Sequence, residues 1–228
     1  MIHIDNLTKS YRTSKGIHFV FKNINLKIPS NKNVALIGRN GAGKSTLLRI
    51  IGGIDRPDNG NIYCNKKISW PVGLSGGFQG SLTGRENVKF VARLYSKKNE
   101  LQSKIKFVED FSELGHYFDM PIKTYSSGMK SRLGFGLSMA FDFDYYLVDE
   151  VTAVGDARFK DKCSRIFKER YEKSNIIMVS HSLNALKEFC DIAIYLKAYD
   201  EIKYYDSVID ALDESVSYTH LRAHETTL

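Results

Sequence analysis

Apolar and polar residues alternate at the start of the chain. Ile2 and Ile4 flank His3, and FVFKNINLKI keeps the same two-residue beat from Phe19 to Ile28. That period predicts half-buried β-strands. NVALIG is continuously apolar, as a buried strand is, and it runs into a glycine-rich turn. From Lys44 to Gly52 the beat lengthens and puts Leu47, Leu48 and Ile51 on one helical face. RPDNGNIYC reads as a turn followed by a strand. From Thr83 to about Phe118, in ENVKFVARLY and LQSKIKFVEDF, the texture is helical; Pro121 interrupts it, and a further helix is expected from about Ser127 to Phe141. After that, YYLVD, ARFKDKCSRIFKERY, NIIMVS, LNALKEFC and DIAIYL alternate strand with helix. The alternation predicts an α/β fold, a parallel sheet with helices packed on it, and residues 83–143 read as a helical insertion.

Length and composition change this picture little. A chain of 228 residues, 43% hydrophobic, suits one domain with a real core. No apolar run approaches the roughly 20 residues of a membrane-spanning helix. MIHIDNLTKS has no apolar leader, so no signal peptide is expected and the chain is expected to stay in the cytosol. Cys64, Cys163 and Cys190 form no C-x-x-C pair, and their odd number suits reduced, buried thiols. The net charge of +7 would suit nucleic acid, an anionic membrane surface or polyphosphate, but the lysines are scattered, as on any solvated surface. The tail from Ser215, SVSYTHLRAHETTL, has no useful periodicity and resembles translated cloning or adapter sequence; residues 215–228 are expected to be non-native or disordered, and His220 and His224 receive no function.

The chemistry begins at GRNGAGKST, which fits G-x-x-x-x-G-K-[ST]. Backbone N–H groups must turn inward around a polyphosphate, and Gly41 and Gly43 leave room for that. Gly38, Arg39, Asn40, Gly41, Ala42 and Gly43 would form the cradle, with Thr46 closing the motif. Lys44 would reach the β- and γ-phosphates, and the Ser45 hydroxyl would ligate Mg²⁺. The plainer alternative is a chance match in a glycine-rich loop, but the strand before it and the helix after it are those the motif requires. YYLVDE buries a strand body and lifts two carboxylates to its end. Asp149 can hold Mg²⁺ through water, and Glu150 can act as general base on the attacking water. Without the cradle, this would read as a strand ending in an acidic turn. NIIMVSHS delivers His181 to the same sheet edge as a γ-phosphate contact.

With these three elements in order, the chain resembles the ATP-binding cassette (ABC) family from Met1 to about Asp213. The resemblance implies a P-loop NTPase (RecA-like) fold with a mainly parallel sheet, an N-terminal antiparallel β subdomain and an inserted helical subdomain, so that residues 1–214 make one nucleotide-binding domain. The family's signature opens a helix one helix before the acidic strand. LSGGF, Leu74 to Phe78, lies far too early and has loop after it, with Ser81 or Thr83 as a cap for the next helix; YSSGM stands in the right place. Ser126, Ser127, Gly128 and Met129 are therefore the signature, with Ser127 where the family has glycine and Met129 where it has glutamine. Free N–H groups and serine hydroxyls there would bind the γ-phosphate held by a second copy, which implies a head-to-tail homodimer around two ATPs. The resemblance also gives Tyr11 an adenine-stacking role and matches VTAVGD, ending in Asp156, to the loop linking the two ATP sites. Gln79 is the glutamine available to sense a transporter, although counting back from LTGREN puts Leu74 at that position.

SLTGRENV, YSSGM and DEVTAVGD together look like the ATPases of capsular polysaccharide export. The implied partners are a homodimeric twin and an integral membrane permease. The permease would be driven through a groove near residues 70–84, at the cytoplasmic face of the bacterial inner membrane. The polysaccharide would be touched only indirectly, and no nucleic acid is expected. O-antigen and teichoic-acid exporters are near alternatives. A soluble ABC ATPase acting on nucleic acid or ribosomes is the distant one, and it usually carries tandem cassettes or long coiled-coil insertions.

Overall fold

The computed structural model describes residues 1–73, 77–150 and 156–213. They fall into two compact units. The first comprises Met1–Trp70, Asp144–Glu150 and the described residues from Asn175 onward; the second comprises the described residues among 71–143 and 151–174.

In the first unit, β1 (Ile2–Thr13) pairs antiparallel with β2 (Gly16–Ile28) and with β4 (Asn59–Cys64), giving a sheet in the order β2-β1-β4. The expected alternation holds: Ile2 and Ile4 are buried, then Asn6 adopts a left-handed φ of 49° where the register shifts, and Leu7 takes up the inward side again. A bulge of this kind keeps apolar residues on one face after an extra residue. A second sheet has the order β5-β6-β7-β3-β8-β9. Its strands are β3 (Val34–Gly38), β5 (Ile68–Pro71), β6 (Tyr145–Asp149), β7 (Asn175–Val179), β8 (Ile192–Ala198) and β9 (Glu201–Tyr205). β6, β7, β3 and β8 run parallel, and β9 returns antiparallel to β8. VALI, YYLV and IIMV are buried throughout, as strands covered on both faces must be.

Helix α1 (Lys44–Ile51) buries Leu47, Leu48, Ile50 and Ile51, and these join Phe21, Leu36, Leu147 and Ile194 in one core. Asn33 ties the lower ends of the strands together. Its N–H donates to Asp191 Oδ2 at 2.7 Å, its side-chain oxygen accepts from Ile176 N at 2.9 Å, and its carbonyl accepts from Asp191 N at 2.9 Å. β5 and β9 escaped the sequence pattern. ISWP is short, and EIKYY is a half-exposed edge strand whose lysine and glutamate dilute the alternation.

The second unit is helical: α2 (Gly84–Tyr95), α3 (Leu101–Ser112), α4 (Ser127–Met139) and α5 (Ala157–Tyr171). Thr83 and Glu86 close a capping box on α2, so of the two expected caps it is Thr83 that serves. Its interior is aromatic. Phe111 stacks on Phe107 and Phe135 with centroids 5.7 and 5.8 Å apart and meets Phe159 edge-on at 5.6 Å. α5, outside the helical insertion expected over residues 83–143, groups with the helical unit, and Phe159 is its anchor there.

Candidate nucleotide site

The site is built at the carboxyl ends of β3, β6 and β7. β3 ends at Gly38, and the loop then folds back with Ala42 N–H donating to Arg39 O at 3.1 Å. Gly41 and Gly43 have φ of 81° and 92°, conformations that a side chain would strain. A Cβ on Gly43 would also stand 2.4 Å from Val20 Cγ1 and 2.7 Å from the Phe21 ring, so β2 backs the cradle directly. Gly43 is the N-cap of α1 and offers no side chain to it. The first turn of α1 is thus left with donors pointing at whatever fills the loop. Arg39 and Asn40 are exposed beside it, and Thr46 is half-buried.

Lys44 lies across this loop. Its Nζ donates to Gly38 O at 2.9 Å and to Arg39 O at 3.0 Å. Burial pushes its pKa below the usual lysine value, and Glu150 and Asp149 pull it back up. The Ser45 hydroxyl donates to Asp149 Oδ1 at 3.1 Å, which brings the last residue of β6 against the first turn of α1. Glu150 turns with a left-handed φ of 45°, its N–H donating to Val179 O at 2.9 Å. That turn carries its carboxylate to 2.9 Å from His181 Nε2. Both side chains stay open to solvent, with His181 68% and Glu150 46% exposed. Lys44, Ser45, Asp149, Glu150 and His181 therefore converge at one sheet edge.

Tyr11 belongs to the same unit but lies within β1 rather than after the first strand. It is exposed opposite His18, with Lys9 Nζ 5.3 Å from its ring centroid. The signature residues and Asp156 belong to the second unit. Ser126 is the N-cap of α4, and its Oγ accepts from Met129 N at 3.2 Å, so that N–H is not free as the sequence reading had it; Ser127 and Gly128 are exposed. Asp156 caps α5: one carboxylate oxygen accepts from Phe159 N at 2.9 Å and the other from Arg132 Nη2 at 3.0 Å. Gln79 is exposed, with its backbone clamped by the buried Asn87, whose Oδ1 accepts from Gln79 N at 2.8 Å. Leu74, Ser75, Gly76, Val151 and the tail from Ser215 lie outside the described residues.

Sequence reasoning missed the residues that hold these parts. Arg132 was passed over in the signature helix, and Asn87 was read only as a helical position. Arg85, which forks onto Glu109 and Asp119, was also missed. Pairings across distant segments leave no local trace. Of the three thiols Cys163 is buried and Cys64 and Cys190 are half-buried; desolvation pushes Cys163 and Cys190 up to about 12.

Residues 21–153 match the protein family described as ABC transporter. The chain is 72% identical over 221 residues to the polysialic acid transport ATP-binding protein KpsT of Escherichia coli, covering 97% of this chain and 99% of that one. It is 48% identical over 198 residues to the capsule polysaccharide export ATP-binding protein CtrD of Neisseria meningitidis serogroup B, covering 86% of this chain and 90% of that one. The ATP-binding protein BexA of Haemophilus influenzae is similar to the same extent. In three dimensions the chain is similar to the ATP-binding cassette MJ0796, solved as a dimer bound to ADP and Pi, with a TM-score of 0.69 at 24% identity over 90% of this chain and 98% of that one. That likeness concerns the fold, a P-loop cassette of mixed sheet and helices.

Proposed function

The chain belongs to the ABC transporter family, and from that premise we propose that it is the ATP-hydrolysing subunit of a capsular polysaccharide exporter. It would work as a homodimer beneath a separate membrane permease at the inner face of the bacterial membrane. One observation carries the enzymatic reading: Lys44, Ser45, Asp149, Glu150 and His181 meet at the carboxyl edge of the parallel sheet, two of the contacts being 3.1 and 2.9 Å. The likeness to KpsT and CtrD supports the class of cargo. We assign the nucleotide-binding domain to residues 1–214.

The geometry supports the following roles. ATP phosphates would lie along the uncapped start of α1, and Lys44 would exchange the carbonyls of Gly38 and Arg39 for phosphate oxygens. Ser45 and Asp149 are hard oxygen donors in contact with each other, and no group of three or more metal-ligating His, Cys, Asp or Glu side chains occurs among the described residues. That donor set fits Mg²⁺, which takes one or two protein oxygens and completes its shell with phosphate and water. When bound, Mg²⁺ would neutralise charge on the β- and γ-phosphates. Glu150 would take a proton from water as the water oxygen bonds to the γ-phosphorus and the bond to the ADP oxygen breaks. His181, whose Nε2 lies 2.9 Å from the Glu150 carboxylate, would contact the γ-phosphate beside it. Ser126, Ser127 and Gly128 of a second copy would close over the γ-phosphate, and Tyr11 would stack on adenine.

The test is Glu150→Gln, which keeps shape and removes the base. We expect turnover to fall by roughly 10² to 10⁴-fold, and Mg-ATP to trap a dimer visible by size-exclusion chromatography. Normal hydrolysis in that variant removes Glu150 as the base. The exporter reading is tested separately, by whether membrane association depends on a coexpressed polysaccharide permease.

A further inference from the structure

Helix α2 turns one side into the helical unit, burying Gly84, Asn87, Val88 and Ala92. Its other side is unusual. Phe90 is 62% and Leu94 66% exposed, two of the three most exposed large apolar side chains among the described residues. They stand four residues apart and so share one stripe of the helix. Lys89 and Arg93, also exposed and four apart, form a cationic stripe roughly 100° round the helix from it. Lys97 and Lys98 follow directly after the C-cap, Ser96, and are exposed too. Tyr95 completes the patch, exposed while its ring meets Phe141 and Phe143 at centroid distances of 5.9 and 6.0 Å.

The charge here is one-sided. From Asn87 to Asn99 the chain has four cations and no carboxylate. None of the four is ion-paired among the described residues, whereas other cations of the same unit are: Arg85 with Glu109 and Asp119, Lys104 with Asp142, Lys106 with Asp110. Glu86, the acidic residue of α2, is taken up in the capping box with Thr83. Cations at a helix's carboxyl end suit its dipole, but that does not explain why Phe90 and Leu94 stay in water. Protruding apolar side chains bordered by unpaired cations match a surface that is anionic on top and apolar beneath, as the boundary of an anionic bilayer is. No helix among the described residues is long and apolar enough to cross a membrane, so the contact would be made from outside the bilayer.

We propose that the exposed face of α2 docks directly on anionic phospholipid, with Phe90 and Leu94 entering the headgroup layer and Lys89, Arg93, Lys97 and Lys98 meeting lipid phosphates. This goes beyond the ATPase reading and needs neither nucleotide nor permease. Two apolar side chains and four cations make a weak, reversible contact, and stable attachment takes a second tether. A permease would supply that tether, and the lipid contact would confine the search for it to the plane of the membrane.

The test is co-sedimentation of the full chain, without nucleotide, with vesicles of phosphatidylcholine alone or of phosphatidylcholine and phosphatidylglycerol in equal parts. We expect binding to the mixed vesicles, little to the neutral ones, and a decline as salt is raised. The double variant Lys89→Gln, Arg93→Gln should bind roughly 25-fold more weakly, about fivefold for each charge. Phe90→Ser, Leu94→Ser should lose at least as much at unchanged net charge. Lys160→Gln, Arg165→Gln removes two exposed charges from α5 instead and should bind like the wild type, which separates a docking face from the general attraction of a chain of charge +7. All six side chains are exposed, so the three variants should melt like the wild type. An equal loss in the α5 variant, or undiminished binding by either α2 variant, overturns the proposal. Absence of binding to any vesicle also overturns it and leaves the face to a protein partner. So does nucleotide-free self-association that Phe90→Ser, Leu94→Ser abolishes, which would give the face to a second copy. A wild type that binds the mixed vesicles but hydrolyses no ATP removes the ATPase reading and leaves this one standing.

Discussion

Gly43 shows how much one position can fix. Its φ of 92° and its approach to Val20 and Phe21 exclude a side chain on two independent grounds. Gly43→Ala should therefore cost about 2–4 kcal/mol, combining left-handed backbone strain with overpacking, read as a shift in the urea midpoint at unchanged slope. Sequence spacing found this residue as part of a motif. It could not show that β2 lies behind the loop, because Phe21 and Gly43 meet only in the fold. Glu150 is a similar case. The acidic pair was legible at the end of YYLVDE, but the left-handed turn that carries the carboxylate to His181 was not. Nor was the partnership of Lys44 with Gly38 and Arg39, which is made by backbone carbonyls that no residue pattern encodes.

Among the elements, the strands and helices with a strong apolar beat were the legible ones. β3, β6 and β7 announced themselves as unbroken apolar runs, and α4 and α5 fell close to where their periodicity put them. What the pattern could not supply was assignment. α5 carries Phe159 on the side that meets Phe111, and a helix with an apolar stripe reads the same whether it covers a sheet or other helices. The helical unit is also held by carboxylates whose acidity is raised. Lys162 holds Glu113 below the usual carboxylate range, Arg85 does the same for Asp119, and the Phe159 N–H, then Arg132, does so for Asp156. The sign follows directly. These groups bind protons less readily folded than unfolded, so their contribution is complete above the ordinary carboxylate pKa of about 4 and is lost as pH falls through the lower folded values. Circular dichroism melts at pH 5, 4 and 3 should show helix stability falling over that window. Arg85→Ala and Glu113→Gln should each flatten the slope; a pH-independent melting temperature would remove these carboxylates from the account.

For the molecule as a whole, the proposed shared site makes a prediction that no single-chain property can imitate. Lys44→Ala disables the cradle of one copy, and Gly128→Glu disables the signature of one copy. Each variant alone should be inactive as a homodimer, because both of its sites then contain a defect. A mixed dimer brings one intact cradle against one intact signature. Mixing the two purified variants should therefore restore measurable ATPase activity, up to about a quarter of the wild-type value if half of the dimers are mixed and each has one of its two sites working. Silence in the mixture would mean that each chain completes its own pocket or that both sites must fire together. The net charge of +7 decided nothing at this scale. The motifs and the relatives carried the functional conclusion.

The place of β3 in its sheet has a consequence for how the protein comes into being. The strand that leads into the phosphate loop lies between β7 and β8, and Gly38 fits closely against Leu196. A ribosome thus makes the loop early but its flanking strands almost last. During synthesis the nascent chain carries a complete motif that cannot yet grip a nucleotide. Competence for ATP should arrive late and abruptly, once DIAIYL has emerged from the exit tunnel.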